Sequence, residues 1–394
     1  MSIARSVLLK LSSGCLKTVF IMRIFYCFLL MFFAVACGGT GQQSQLNALG
    51  KEEVRYAKGF TLSYFDGYTV ADVVNPWDTT KLLHRYILVD KAGDLPDSLP
   101  QGTVVRVPVE RVVPATSVHS SLLKALGCVD NIVGVCDPQY ISIPEIQEGV
   151  KSGVIVDIGK SYMPNVEKLV LCQPEIIIMS PFENQGYGGV EKTDIPIVEC
   201  ASYMELQPLG QAEWIKFHAA FYGKRDLADS LFNEMEQRYI AVKAMAHEAE
   251  SRPVLLPEKQ FGQVWYVPGG ESYAANLYKD AGAFYPWEAD SSRGSLALSF
   301  EGVYDVASDA DIWLIRYNDA EHDMTYESLK NENPLYELLK PFKGKKVYVC
   351  NTAKVPYYET AQLQPDVVLK DLVKILHPEL LPDYTPYYYH LMTE

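Results

Sequence analysis

The stretch PNVEKLVLCQPEIIIMSP, residues 164–181, sets a short solvent-facing helix and an unbroken apolar run on either side of Pro174. The run Ile176 to Met179 shows no polar alternation, so it predicts a strand covered on both faces, as in a parallel sheet between helices. Glu167 stands near the start of the helix, where the helix dipole favours a negative charge. A partial echo, SFEGVYDVASDADIWLI at residues 299–315, repeats the order of glutamate, helix and buried strand with Glu301 and Ile312 to Ile315. Two related halves are therefore expected.

Around the first copy, strand, loop and helix alternate, with Ile132 to Val135 and Ile195 to Val198 as further short apolar strands. This predicts a first lobe over residues 104–206. Residues 207–250 are helical: PLGQAEWIKFHAAFYG reads as one amphipathic helix, and 225–250 contain neither glycine nor proline. There Leu227, Leu231, Met235, Tyr239, Val242 and Met245 fall three or four apart and make one face apolar. About 24 such residues span on the order of 36 Å. The alternation resumes in 251–394, a second lobe with a C-terminal tail. Ahead of the first lobe, GFTLSYFDGYTVADVV (59–74) alternates around Asp66-Gly67, a hairpin signal, and with HRYILVD (84–90) makes a small extension over 59–103. The expected fold class is α/β, two Rossmann-like lobes joined by one long helix, with a small N-terminal β extension.

Residues 1–36 differ in kind. MRIFYCFLLMFFAVAC (22–37) carries Arg23, an apolar run, and Ala34 and Ala36 ahead of Cys37, the pattern of a secretion signal with a lipobox. Met22 alone would begin a well-formed signal, which makes it a second candidate start. The run is short for a spanning helix, and the GGTGQQSQ that follows reads as a tether, with 37–58 linking lipid to body. Cleavage before Cys37 with a lipid on its thiol is expected; an uncleaved anchor is the alternative, and both put the body outside the cytoplasmic membrane.

The 394 residues are 48% hydrophobic and 21% charged, ordinary for a globular chain long enough for two lobes. Without the four basic residues of the leader, the formal charge of −14 becomes −18, which argues against nucleic acid as a partner. Beyond Cys37 the cysteines are Cys128, Cys136, Cys172, Cys200 and Cys350, odd in number and without CxxC, so they imply no disulfide framework or zinc ribbon and read as small core residues. Ser121 to Lys124 fits SxxK, but neither SDN nor KTG follows, and GxSxG, HExxH and a P-loop are absent from the sequence. An enzyme is not expected.

Arg111-Val112-Val113 entering a loop, Leu122 to Gly127 before Ile132-Val133-Gly134, Asn165 to Leu169 with Gln173 to Ile178, and Ser299-Phe300-Glu301 before Asp311 to Ile315 form an ordered set. With the lipobox, this set resembles the periplasmic substrate-binding lipoproteins of ABC importers, in the helical-backbone class (class III) that serves ferric siderophores, haem and cobalamin. The resemblance covers roughly residues 104–375. It implies that one glutamate on the outer face of each lobe pairs with arginines of a permease dimer, and Glu167 and Glu301 hold the matching places; two helix-start glutamates satisfying helix ends are the alternative. Glu167 lies eight residues before Glu175, whereas Glu301 lies ten before Asp311, so the second helix is expected to be longer or irregular. One stiff helical crossing implies a small closure on ligand. The resemblance further implies a monomer without a cofactor, lipid-anchored on the periplasmic side of a bacterial membrane. Its ligand would be an iron complex, a siderophore or haem. Cobalamin or another corrinoid, or a permease-independent surface scavenger, are the alternatives.

Ligands of open α/β sheets sit beyond the carboxyl ends of the strands. Loops there hold Tyr140, Phe182, Tyr187 and Tyr203 in the first lobe and Trp265, Tyr266, Trp287 and Tyr317 in the second. Flat rings suit macrocycles and catecholates. Arg293 and Arg316 are placed to hold anionic oxygens. His119 is a candidate ligand contact or axial haem ligand, and otherwise a helix-start side chain. Candidate ligand contacts are therefore His119, Tyr140, Tyr187, Trp265, Tyr266, Trp287, Arg293 and Arg316. The other histidines lie in helices or outside these loops, so a site for free divalent metal is not expected.

Overall fold

In a computed structural model, which describes residues 48–394, a five-stranded sheet comes first. Strands β1 (Gly50–Lys51), β2 (Phe60–Phe65), β3 (Tyr68–Val74) and β4 (Leu82–Asp90) pair antiparallel in order, and β5 (Thr103–Val107) adds parallel to β4. The β2–β3 hairpin turns at Asp66-Gly67, where Gly67 takes φ +78. Because β5 pairs with β4, residues 103–107 complete this extension and do not open the first lobe.

The first lobe runs through β6 (Val112–Pro114), α1 (Ser117–Ala125), β7 (Gly134–Cys136), α2 (Pro144–Ser152), β8 (Val156–Lys160), β9 (Met163–Pro164), α3 (Val166–Leu171), β10 (Ile176–Met179) and β11 (Ile197–Glu199). Strands β11, β10 and β6 are parallel neighbours, and a parallel bridge from Val112 to Ile132 leads the sheet on to β7 and β8. All four side chains of β10 are buried. Helix α3 is short for local reasons: Asn165 caps it by accepting from the Lys168 N–H at 3.0 Å, and Gln173 leaves it at φ +46 ahead of Pro174. Arg111 then donates to the freed carbonyls of Cys172 and Gln173.

The crossing consists of α4 (Pro208–Tyr222) and α5 (Arg225–His247), which turn at Gly223 with φ +64. Helix α4 is buried nearly all round and not amphipathic, because residues 55–59 cover its polar side; the part of the expected 37–58 tether that the structure describes is thus folded onto the body, with Gly50–Lys51 in the sheet. Fully buried Glu213 accepts the backbone N–H groups of Arg55, Tyr56 and Ala57 at 2.7–2.9 Å. Glu205 accepts those of Lys58 and Gly59 together with the Trp214 indole. Phe60 packs edge-on to Trp214 at 5.1 Å. Helix α5 has 23 residues, about 35 Å of rod. Its inward stripe is Ala228, Phe232, Met235, Tyr239, Val242 and Ala246, turned from the predicted one so that Leu227 is exposed.

The second lobe contains β12 (Leu255–Pro257), β13 (Gln260–Phe261), β14 (Val264–Pro268), α6 (Tyr273–Asp280), β15 (Ser295–Leu298), α7 (Phe300–Ala307), β16 (Ile312–Tyr317), α8 (Tyr326–Glu332), α9 (Lys340–Lys343) and β17 (Val347–Asn351). After it come α10 (Tyr357–Thr360), α11 (Pro365–Leu376) and the edge strand β18 (His390–Leu391). Strands β12, β16 and β17 are parallel, and β13–β14–β15 form an antiparallel ribbon. Helix α7 has eight residues against six in α3, as the wider spacing after Glu301 predicts. Helix α11 returns to lie along α5, tied by Arg238 to Asp366 at 2.6 Å, so three helices pack together at the crossing.

One cluster of buried side chains runs from Phe60 through Trp214 and Tyr239 to Leu255, Ile312 and Cys350, and a second fills the far side of the second lobe around Trp265 and Trp313. The five described cysteines are buried and unpaired, in keeping with small core residues, and burial pushes the Cys136 and Cys350 thiols up to about 12. Among the described residues no helix is long and apolar enough to cross a membrane.

Candidate functional site

The carboxyl ends of β6 and β7 face those of β16 and β17 across a cleft of about 810 Å³. Its first-lobe wall is Ser117 and Gln139 to Ser142; its second-lobe wall is Arg316 to Asn318 and Thr352 to Glu359. Local hydrogen bonds hold both walls in place. Asp137, left-handed at φ +47, accepts from the Ser161 N–H at 2.8 Å and lies 3.0 Å from the Lys160 ammonium. Partial burial raises its pKa, but these bonds outweigh that and hold it below the ordinary carboxylate value. Opposite, buried Asn351 donates to the Asp319 carbonyl at 2.7 Å and accepts from the N–H groups of Asp319 and Ala353, joining the two second-lobe loops.

The lobes touch directly at the cleft floor. Glu359, 3% exposed, accepts from the Ser142 N–H at 2.9 and 3.1 Å and from its hydroxyl. Arg316 donates through Nε to Glu258 at 2.8 Å and lies 5.4 Å over the Tyr357 ring. Burial works against its charge, but Glu258 more than compensates and keeps its pKa high. Lys354 pairs with Asp323 at 2.9 Å. A second hollow of about 660 Å³ continues from Arg316, Tyr317, Asn318 and Tyr358 into the second lobe, past Tyr266.

Of the sequence candidates, Tyr140 and Arg316 line the cleft and Tyr266 lines the adjoining hollow. The structure places the others elsewhere. His119 is 2% exposed inside the first lobe, its ring 6.2 Å from that of His218, and burial lowers its pKa to about 4. Trp265 is fully buried and donates to the Pro257 carbonyl at 3.0 Å. Successive strand residues face opposite ways, so Trp265 and Tyr266 cannot both reach one surface. Trp287 packs between the two core clusters, 5.5 Å from Tyr285. Tyr187 donates to Glu199 at 2.8 Å and packs on the first-lobe core. Arg293 is exposed and nearest Glu271, at 3.7 Å. Sequence reading missed Tyr357, Tyr358 and Glu359; the signal was the aromatic pair after Pro356, just past the loop that follows β17. Glu167 and Glu301 are exposed on the first turns of α3 and α7. The Glu301 carboxyl is held below its ordinary value by its own backbone N–H and by Ser299. Cys37 lies outside the described residues, and among those described no group of three or more His, Cys, Asp and Glu is arranged to hold a metal.

Known proteins share this architecture. An uncharacterized lipoprotein of Methanocaldococcus jannaschii is 27% identical over 356 residues, 83% of this chain and 82% of that protein. The iron-uptake system-binding protein of Bacillus subtilis is 23% identical over 197 residues, 48% of this chain and 59% of that protein. Among solved structures, the molybdate periplasmic binding protein MolA of Haemophilus influenzae matches with a TM-score of 0.57 at 14% identity, over 73% of this chain and 96% of that one. A periplasmic haem-binding protein of Pseudomonas aeruginosa matches with a TM-score of 0.54 at 18% identity, over 72% and 97%. At these identities the structural likeness shows the fold. The periplasmic binding protein family matches over residues 112–354, more than half of the chain, and the chain belongs to that family of substrate-binding transport proteins, which are not enzymes.

Proposed function

We propose that this chain captures an iron complex, a siderophore or haem, in the interlobe cleft and delivers it to an ABC permease dimer from the outer side of a membrane, held there by lipid on Cys37. The observation that carries the reading is the cleft itself, about 810 Å³ at the strand ends and walled by tyrosines from both lobes. The M. jannaschii relative is named a lipoprotein and the B. subtilis one an iron-uptake system-binding protein, which supports both halves of the proposal. Glu167 and Glu301, each exposed and at a helix start, would present one carboxylate per lobe to permease arginines. Charge reversal tests this role. The double variant Glu167→Arg, Glu301→Arg should bind ligand as the wild type does yet lose uptake in cells; unimpaired uptake would refute the docking role.

A further inference from the structure

We infer that the cleft selects a ligand without net negative charge, an uncharged metal chelate in preference to an anionic one; this rests on the chelate-import reading above and narrows it to uncharged siderophores, because haem carries two propionates. The arginines that suggested an anionic ligand do not support it. Arg293 stands outside both cavities, and Arg316 is already neutralised by Glu258 at 2.8 Å. The other basic side chains lining the cleft and its adjoining hollow, among the described residues, are Lys354, paired with Asp323 at 2.9 Å, Lys259, paired with Glu332, and His322, which lies 3.7 Å from Asp319. What remains without a lysine or arginine partner is acidic: Asp319, whose Oδ1 accepts the backbone N–H groups of Glu321 and His322 at 2.9 Å, and the buried Glu359.

The Arg316 pair is built in. Glu258 is held left-handed at φ +60, a strained backbone for a glutamate, by its N–H donating to the Leu314 carbonyl at 2.7 Å and its carbonyl accepting from the Trp313 indole at 2.6 Å. A trianionic chelate entering here would shed its hydration with no unpaired lysine or arginine to replace it, or would have to break that pair and strand the Glu258 carboxylate. An uncharged chelate meets neither cost. The exposed rings of Tyr140, Tyr266 and Tyr358 offer it flat apolar faces, and their hydroxyls offer hydrogen bonds to its oxygens. The withheld counter-charge therefore sets specificity, by excluding the wrong class of ligand.

Calorimetric titration of the full chain in detergent micelles tests this with three probes: an uncharged ferric tris-hydroxamate, a trianionic ferric tris-catecholate and uncharged cyanocobalamin. The expected result is that the tris-hydroxamate binds at least about tenfold more tightly than the tris-catecholate, and that Glu258→Gln, which frees Arg316, narrows the gap by about tenfold. Equal or tighter binding of the tris-catecholate by the wild type overturns the charge inference and leaves the iron-complex reading standing. Saturation by cyanocobalamin alone supports the charge inference and overturns the iron reading. Absence of binding by all three overturns both.

Discussion

Removing the Glu359 carboxylate should loosen the junction between the lobes by a measurable amount. It accepts two hydrogen bonds from one residue of the other lobe, the Ser142 N–H and hydroxyl, while being almost wholly buried itself. Hydrogen bonds to a charged group contribute about 1.5–3 kcal/mol each. Ser142 is exposed, so water can satisfy it once the partner is gone, and the expected loss for Glu359→Ala falls to about 2–3 kcal/mol in all. Glu359→Gln keeps one acceptor for the N–H and places a donor beside the hydroxyl, so it should cost about 1 kcal/mol. Ser142→Ala removes the hydroxyl bond alone and should also cost about 1 kcal/mol. Urea unfolding followed by circular dichroism gives these differences from the midpoints, with slopes unchanged because the same surface is exposed. The decisive quantity is the coupling in the double-mutant cycle, expected at about 1 kcal/mol. A Glu359→Ala loss below about 0.5 kcal/mol, or a coupling of zero, would show that the clasp is not made in solution and that the lobes meet only through the helical crossing.

Other consequences follow from single residues. The buried rings of His119 and His218 have pKa values lowered by burial to about 4 and about 3, below the ordinary 6.5. Below pH 6.5 the unfolded chain therefore binds protons that the folded one refuses, so stability is held above that pH and falls as pH drops toward 4, by up to about 1.4 kcal/mol per pH unit for each ring. Thermal unfolding of His119→Gln against wild type over that range should show a shallower decline, and parallel curves would contradict the buried-neutral assignment. Trp265→Ala, in the filled second-lobe core, should cost about 3–5 kcal/mol, whereas Tyr266→Ala next to it should stay within about 0.5 kcal/mol. Denaturation midpoints check both, and ligand titration of Tyr266→Ala should show weaker binding.

Much of the fold was legible because its signals are local. Ile176 to Met179 is buried on both faces as its unbroken apolar run predicts, and Asp66-Gly67 turns the hairpin it marks. Other readings failed where the deciding partner is distant in sequence. Helix α4 carries Glu213 and Lys216, so it reads as half-exposed, but backbone groups near residue 55, some 160 positions earlier, cover those charges. The spacing on α5 predicts a stripe whose Met235, Tyr239 and Val242 are buried, but the packing puts Ala228, Phe232 and Ala246 inward beside them and leaves Leu227 exposed. The site divides in the same way. Tyr140 follows from its position after a strand and Arg316 from its position at the carboxyl end of one, but the carboxylate that neutralises Arg316 is 58 residues away and no spacing rule connects them. The Trp265 ring alone suggests a ligand contact; the alternation of β14, which settles that it faces inward, is anchored only by the register against β15.

The unbroken cluster of buried side chains that links extension, first lobe, crossing helices and part of the second lobe has a consequence for how this molecule comes apart. Helix α11 follows the second lobe in sequence but fills the crossing beside α5, so neither half of the chain encloses its own interior. Cleaving near residue 250 should not release two folded lobes; each piece would carry an open apolar wall, and melting of the intact chain should be cooperative across both. A partner that displaced one lobe would accordingly move the other with it.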